Sequence, residues 1–119
     1  RWIQTQICKS NHQWNSGYLA RDRSGAIHAF VLVGDGYLTG GYMDRHGGGR
    51  IEEWVSTDKG KTWKMRRDLS PDRTQYPGWR FNNIQPVLRP DGRALEGMLL
   101  FYGWSDEDTP TAKAFLRHE

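Results

Sequence analysis

S-T-D-K-G-K-T-W, Ser56 to Trp63, is the stretch on which the fold turns. It follows R-I-E-E-W-V (Arg50 to Val55) and precedes K-M-R-R (Lys64 to Arg67), so a polar octet separates two strand-like segments. The Asp58 carboxylate can accept hydrogen bonds from backbone N–H groups of a turn, and Gly60 can take a positive φ where a side chain would clash. Ser56 and Thr62 bring hydroxyls to the base of the turn. Trp63 opens the outgoing strand, where its ring can lie over the hairpin and close a small satellite core.

Working outward, no stretch keeps a helical period. Short runs rich in Val, Ile, Phe, Trp and Tyr, bounded by Gly, Asp or Pro, give an all-β reading. Strands are expected at Gly17 to Arg21, Ala26 to Val33, Tyr37 to Met43 (irregular), Arg50 to Ser56, Thr62 to Arg67, Ile84 to Leu88, Met98 to Trp104 and Lys113 to Arg117. A repeat of pattern relates Asn15 to Val33 and Asn83 to Trp104. Each runs strand, D-x-x-G or P-D-G turn, then a more apolar strand.

The 119 residues are 26% charged and 36% hydrophobic, which suits a globular chain with a core and excludes a disordered or fibrous one. The apolar run Ala26 to Val33 is too short to span a bilayer and is broken by His28. Seventeen Lys and Arg against fourteen Asp and Glu, scattered along the chain, argue against a dedicated nucleic-acid binder. Cys8 is the single cysteine, so no internal disulfide can form. Cys8 and His12 are close, but without a second cysteine or an H-E-x-x-H pair no metal site is expected, and no cofactor. Six Trp and five Tyr beside fourteen Gly suit tight hairpins and sugar-stacking surfaces.

Ser56 to Trp63 matches S-x-D-x-G-x-T-W at every defining position and resembles the Asp-box, or BNR repeat, of sialidase-like β-propellers. The resemblance implies four-stranded antiparallel blades with this turn between the third and fourth strands, at the periphery. Ser56, Asp58, Gly60, Thr62 and Trp63 are then structural. The chain supplies about two blades, residues 15–67 and an incomplete 83–119. Further blades are expected from the same longer chain or from homo-oligomer partners.

Up-and-down alternation fixes which loops lie opposite the Asp-box turn, and the resemblance to sialidase-like propellers implies that the site is at that end. Three segments gather there: Lys9 to Ser16 with Asn11 and His12, Gly34 to Gly49 with Tyr42, Arg45 and His46, and Asp68 to Asn83 with Trp79, Arg80 and Asn82. Arg50 opens a strand just beneath them. Arginines pair with carboxylates and aromatic rings give a pyranose a flat platform, so an acidic oligo- or polysaccharide is the expected partner. Asn11, His12, Arg45, Arg50, Trp79, Arg80 and Asn82 are the candidate binding residues.

Alternation places Glu53 on one strand face with Ile51 and Val55, and Glu52 on the other with Arg50, Trp54 and Ser56. A carboxylate between apolar neighbours suits either acid–base chemistry or an ion pair with an arginine of the next blade. Tyr42, His46 and Glu53 are the candidate catalytic residues, and His28 is read as a packed core histidine. Three activities stay open: an exo-sialidase-type hydrolase, a uronate polysaccharide lyase, and a glycan-binding lectin or adhesin without catalysis. A scaffold propeller that binds no sugar is a further possibility. The F/Y-R-I-P arginine motif of sialidases is absent. The expected location is extracellular or periplasmic rather than cytoplasmic.

Overall fold

The computed structural model describes residues 1–10, 17–34, 49–72, 74–76, 79–105 and 112–118. Two antiparallel sheets make up the chain. The first contains β1 (Gly17–Arg21), β2 (Ile27–Val33), β3 (Arg50–Ser56) and β4 (Lys64–Asp68) in sequential order. The second contains β5 (Trp79–Leu88), β6 (Ala94–Ser105) and β7 (Ala112–His118), again in sequential order. No helix long and apolar enough to cross a membrane occurs among the described residues.

The first sheet spans nearly the expected unit 15–67, and the second begins at Trp79 rather than residue 83. The expected strand at Tyr37 to Met43 falls outside the described residues. The strand expected at Thr62 begins two residues later, because Thr62 and Trp63 are spent on the turn. β5 begins five residues before the expected Ile84, with Trp79 and Phe81 already in period-two alternation. β6 begins at Ala94 rather than Met98. The polar Asn82–Asn83 pair and the glycine at position 97 hide these extensions in the sequence, and the register shifts near both.

The two expected repeat units close with one hydrogen-bonding pattern. In the β1–β2 turn Asp22 N donates to Ala26 O at 3.0 Å and Gly25 N to Asp22 O at 3.1 Å. In the β5–β6 turn Arg89 N donates to Arg93 O at 2.7 Å and Gly92 N to Arg89 O at 2.9 Å. The glycine at the third turn position has φ 91° in the first and 82° in the second, a region where a Cβ is strained.

Between β3 and β4 the octet Ser56 to Trp63 forms the expected turn. Asp58 Oδ1 accepts from Ser56 Oγ at 2.8 Å and Thr62 N at 2.9 Å, while Oδ2 accepts from the Thr62 hydroxyl. Gly60, at φ 85°, donates its N–H to Ser56 Oγ at 2.8 Å. Trp63 Nε1 donates to Gly60 O at 3.2 Å and to Thr5 Oγ1 at 3.4 Å. Ser10 Oγ accepts from Gly34 N at 2.9 Å, so the leading segment is fixed at both Thr5 and Ser10. Cys8 lies between these points, its thiol pushed up by burial and by the charge of Glu52.

The core lies between the sheets. Phe30, Leu32 and Ile51 of the first meet Phe81, Ile84, Leu99 and Phe101 of the second, with Leu69 from the connection. Phe81 packs edge-on against Phe101 and Phe115, at ring separations of 5.3 and 5.4 Å. Outside the sheets proper, Gly49 and Phe81 exchange backbone hydrogen bonds of 2.9 and 3.0 Å. A Cβ at Gly49 would lie 2.0 Å from the Val33 carbonyl oxygen, inside hard contact. Gly49→Ala must therefore move β2 or break this bridge, and is expected to lower stability by about 1 to 3 kcal/mol. Gly92→Ala meets no atom within 4 Å and costs only the strain of its positive φ, about 1 kcal/mol. Urea titration of the two variants checks the order; equal losses would remove the steric role given to Gly49.

Candidate functional site

Two regions carry the chemistry, at different places on the two-sheet frame. At the end opposite the Ser56–Trp63 turn, the Gly49–Phe81 bridge brings the start of β3 beside the start of β5. The backbone of Arg50 thereby comes near that of Trp79, Arg80 and Asn82, four of the candidate binding residues. For Trp79, Arg80 and Asn82 only the backbone is described. Asn11, His12, Tyr42, Arg45 and His46 lie outside the described residues.

Arg50 is one-third exposed, and its Nη2 donates to Glu52 Oε1 at 3.2 Å. Its Nε is 3.9 Å from Asp68 Oδ2. The second Glu52 oxygen accepts from Trp54 Nε1 at 2.9 Å, so Arg50, Glu52 and Trp54 are joined along one face of β3, as alternation implies. Part of the guanidinium is thus held in place, while the side chain stays one-third exposed.

The second region lies on the opposite face of the first sheet. Glu53 is only 1% exposed, and its two oxygens carry three donors. Oε1 accepts from Arg66 Nη1 at 3.2 Å and from His28 Nδ1 at 2.8 Å, and Oε2 accepts from Arg67 Nε at 2.6 Å. Consecutive residues reach one carboxylate because β3 and β4 change register between Glu53 and Trp54. Burial, the largest influence, would raise the Glu53 carboxyl, but the Arg67 and His28 hydrogen bonds and the two guanidinium charges outweigh it and hold it below its usual value.

The sequence reading offered Glu53 an arginine of the next blade; the partners are Arg66 and Arg67 of its own sheet. The register bulge that brings them in is not visible in the sequence. His28, read as a packed core histidine, is largely buried but has polar partners that the reading did not include. Its Nε2 lies 2.9 Å from Asp22 Oδ2, so each ring nitrogen faces a carboxylate. Burial alone would lower its pKa, yet Asp22 and Glu53 together raise it. Asp22 is held well below the usual carboxylate range, first by the Ser24 hydroxyl and then by His28. The one sequence signal for this arrangement is that Asp22 heads a D-x-x-G turn six residues before a strand histidine.

These groups border a cleft of about 560 Å³ between the first sheet and the start of β6, with Tyr18, Asp22, His28, Arg66, Glu96 and Leu99 on its walls. Tyr18 stacks on Phe30 at 5.9 Å. Across the mouth Arg23 and Glu96 approach to 3.8 Å, both largely exposed. No cluster of three or more His, Cys, Asp and Glu residues suited to a metal occurs among the described residues.

Comparison of the chain with protein-family models, curated proteins and solved structures gives no significant match.

Removing the Glu53 carboxylate leaves His28, Arg66 and Arg67 without their common acceptor. Glu53→Ala is expected to cost about 2 to 3 kcal/mol, below the fully buried limit because Arg66 and Arg67 reach water. Denaturant titration checks it, and a loss within experimental error would make the cluster incidental. Asp58 gives a separate pH expectation. The Thr62 hydroxyl, the Thr62 N–H and the Ser56 hydroxyl depress its pKa, so its contribution is present above the unfolded value of about 4. That contribution is lost as pH falls through the lower folded value. Asp58→Asn should therefore be less stable at pH 7 and show a shallower acid limb, measured by thermal melts between pH 7 and pH 2.

Proposed function

We propose that the chain is part of an Asp-box β-propeller of the sialidase-like kind that engages an acidic glycan at the end opposite the Asp-box turn. Two observations support the architectural half of this reading. A four-stranded antiparallel sheet of sequential order carries S-x-D-x-G-x-T-W between its third and fourth strands, and a second sheet repeats its hairpin turn. The second sheet ends at β7, which in this reading pairs with a fourth strand supplied by the longer chain or by another copy.

The functional half rests on one observation above the others. The Gly49–Phe81 bridge draws the backbone of Arg50 and that of Trp79 to Asn82 to the same end. Arginine beside an aromatic residue at one rim is a chemistry that suits a uronate or sialate: bidentate contact with the carboxylate and a flat surface for the ring.

Glu53 does not suit general acid work in this scheme. A carboxylate bound by two guanidinium groups and an imidazole, and held below its usual value, stays ionised at neutral pH and has no proton to give. Turnover, in the hydrolase and lyase readings, falls to Tyr42 and His46. The same observation favours, as a second reading, a lectin that uses the arginine and tryptophan rim without proton transfer.

Arg50→Ala and Arg80→Ala should each weaken binding of uronate- or sialate-containing oligosaccharides by about 1.5 to 3 kcal/mol in calorimetry, the range of a charge-assisted hydrogen bond. Lys59→Ala and Lys61→Ala, in the Asp-box turn, should bind like the parent. Tyr42→Phe and His46→Ala lower turnover more than affinity if the protein is an enzyme, and change affinity alone if it is a lectin. Parent-like binding by both arginine variants would place the site elsewhere.

A further inference from the structure

The Asp22–His28–Glu53 chain lies apart from the proposed glycan rim, and its polar atoms are satisfied within the trio and by Ser24, Ala26, Arg66 and Arg67. Asp22 Oδ1 accepts from Ser24 N at 2.9 Å, from Ser24 Oγ at 2.6 Å and from Ala26 N at 3.0 Å, which leaves Oδ2 for His28. A neutral imidazole has one N–H and can serve only one of its two carboxylates; with both protons it serves both. The structure therefore holds the geometry of a doubly protonated ring.

The charged groups around His28 decide which contact yields when a proton leaves. Glu53 comes from β3, Arg66 and Arg67 from β4, Arg21 from β1, Asp22 and Arg23 from the turn, and Glu96 from β6. The Glu53 side chain is 2% exposed and that of Asp22 is 42% exposed. A bare ring nitrogen facing Glu53 would set a lone pair against a buried carboxylate. Facing Asp22, it lets the carboxylate turn to water. The remaining proton accordingly stays on Nδ1, and the Nε2 contact opens.

We propose that His28 is a pH-operated latch that ties the carboxylate of Asp22 to the wall of the inter-sheet cleft when both ring nitrogens are protonated and releases it when Nε2 loses its proton. Release removes one positive charge from the cleft wall and frees the only side-chain hydrogen bond shown between the Arg21–Ile27 turn and His28. The Oδ1 contacts keep the turn itself folded. Below the latch pH Asp22 is fixed and the wall carries the imidazolium; above it the wall is neutral at His28 and Asp22 faces solvent.

The sign of the pH dependence follows from the direction of the shift. Asp22 and Glu53 together raise the folded pKa of His28 above the unfolded value of about 6.5. The stability that the latch contributes is therefore complete below about pH 6.5 and is lost as pH rises through the folded pKa.

Asp22→Asn tests the latch while preserving the turn, because its amide oxygen can take over the Oδ1 contacts and its NH2 presents a donor to Nε2. Ring-nitrogen NMR of the parent chain should show His28 titrating above 6.5 with both nitrogens protonated at pH 6 and Nδ1 alone protonated at high pH. In Asp22→Asn, His28 should titrate lower and keep the Nδ1–H form through pH 6. Denaturant titrations from pH 5.5 to 9 should show parent stability falling where His28 titrates and a flatter profile for Asp22→Asn, which cancels the contribution of the other histidines. His28 titrating at or below 6.5 in the parent, a proton retained on Nε2 at high pH, or identical profiles for the two proteins would each overturn the proposal.

Discussion

Glu53 places a carboxylate between Ile51 and Val55, on the face of the first sheet that also holds Phe30 and Leu32. An ion at 1% exposure is costly unless donors surround it, and the donors come from two neighbouring strands: His28 from β2, Arg66 and Arg67 from β4. The need to satisfy this one group constrains the pairing of three strands. A slip of one residue between β2 and β3 would turn Glu53 away from the side of the sheet that bears His28. The register bulge opposite Arg66 serves the same end, because regular pairing would deliver only one of two consecutive arginines to that face.

Around this charged cluster the apolar packing is conventional. Phe30, Leu32 and Ile51 press on Phe81, Leu99 and Phe101, and the T-shaped contacts of Phe81 and Phe115 extend the core toward β7. Leu69 links the two halves. It is 1% exposed, and its N–H donates to Ile51 O at 2.8 Å, so the chain is held against β3 just as it leaves the first sheet. The cleft lies between the first sheet and the start of β6, where the β5–β6 pairing shifts register.

Local chemistry was legible in the sequence where it is self-contained. The octet Ser56 to Trp63 could be read as a turn because Asp58 bonds Thr62 and Gly60 bonds Trp63 within eight residues. The two D-x-x-G and P-D-G hairpins are equally local. The face of Glu53 followed from alternation, but its partners did not. His28 is twenty-five positions away, and its register with Glu53 depends on a connection, Gly34 to Gly49, whose length says little about pairing. The early starts of β5 and β6 were hidden for a related reason: polar and glycine residues interrupt the pattern at points where a bulge lets the strand continue. Of the candidate site, the sequence named the residues that the Gly49–Phe81 bridge brings to one end, though not the bridge, which rests on a glycine whose necessity is evident only from the Val33 carbonyl beside it.

The two ends of the first sheet are held together by different means. At the end of the Ser56–Trp63 turn, carboxylate, hydroxyl and indole groups of Ser56, Asp58, Thr62 and Trp63 are consumed in making the turn, so the residues most recognisable in the sequence are the least available to a ligand. At the other end, beside the core packing, Gly49 and Phe81 tie the sheets through backbone hydrogen bonds. That tie uses no side chain of the residues flanking it. A scaffold that joins strands through the main chain can vary or commit the adjoining side chains without losing its geometry, a separation of support from side-chain chemistry that would suit the proposed glycan rim.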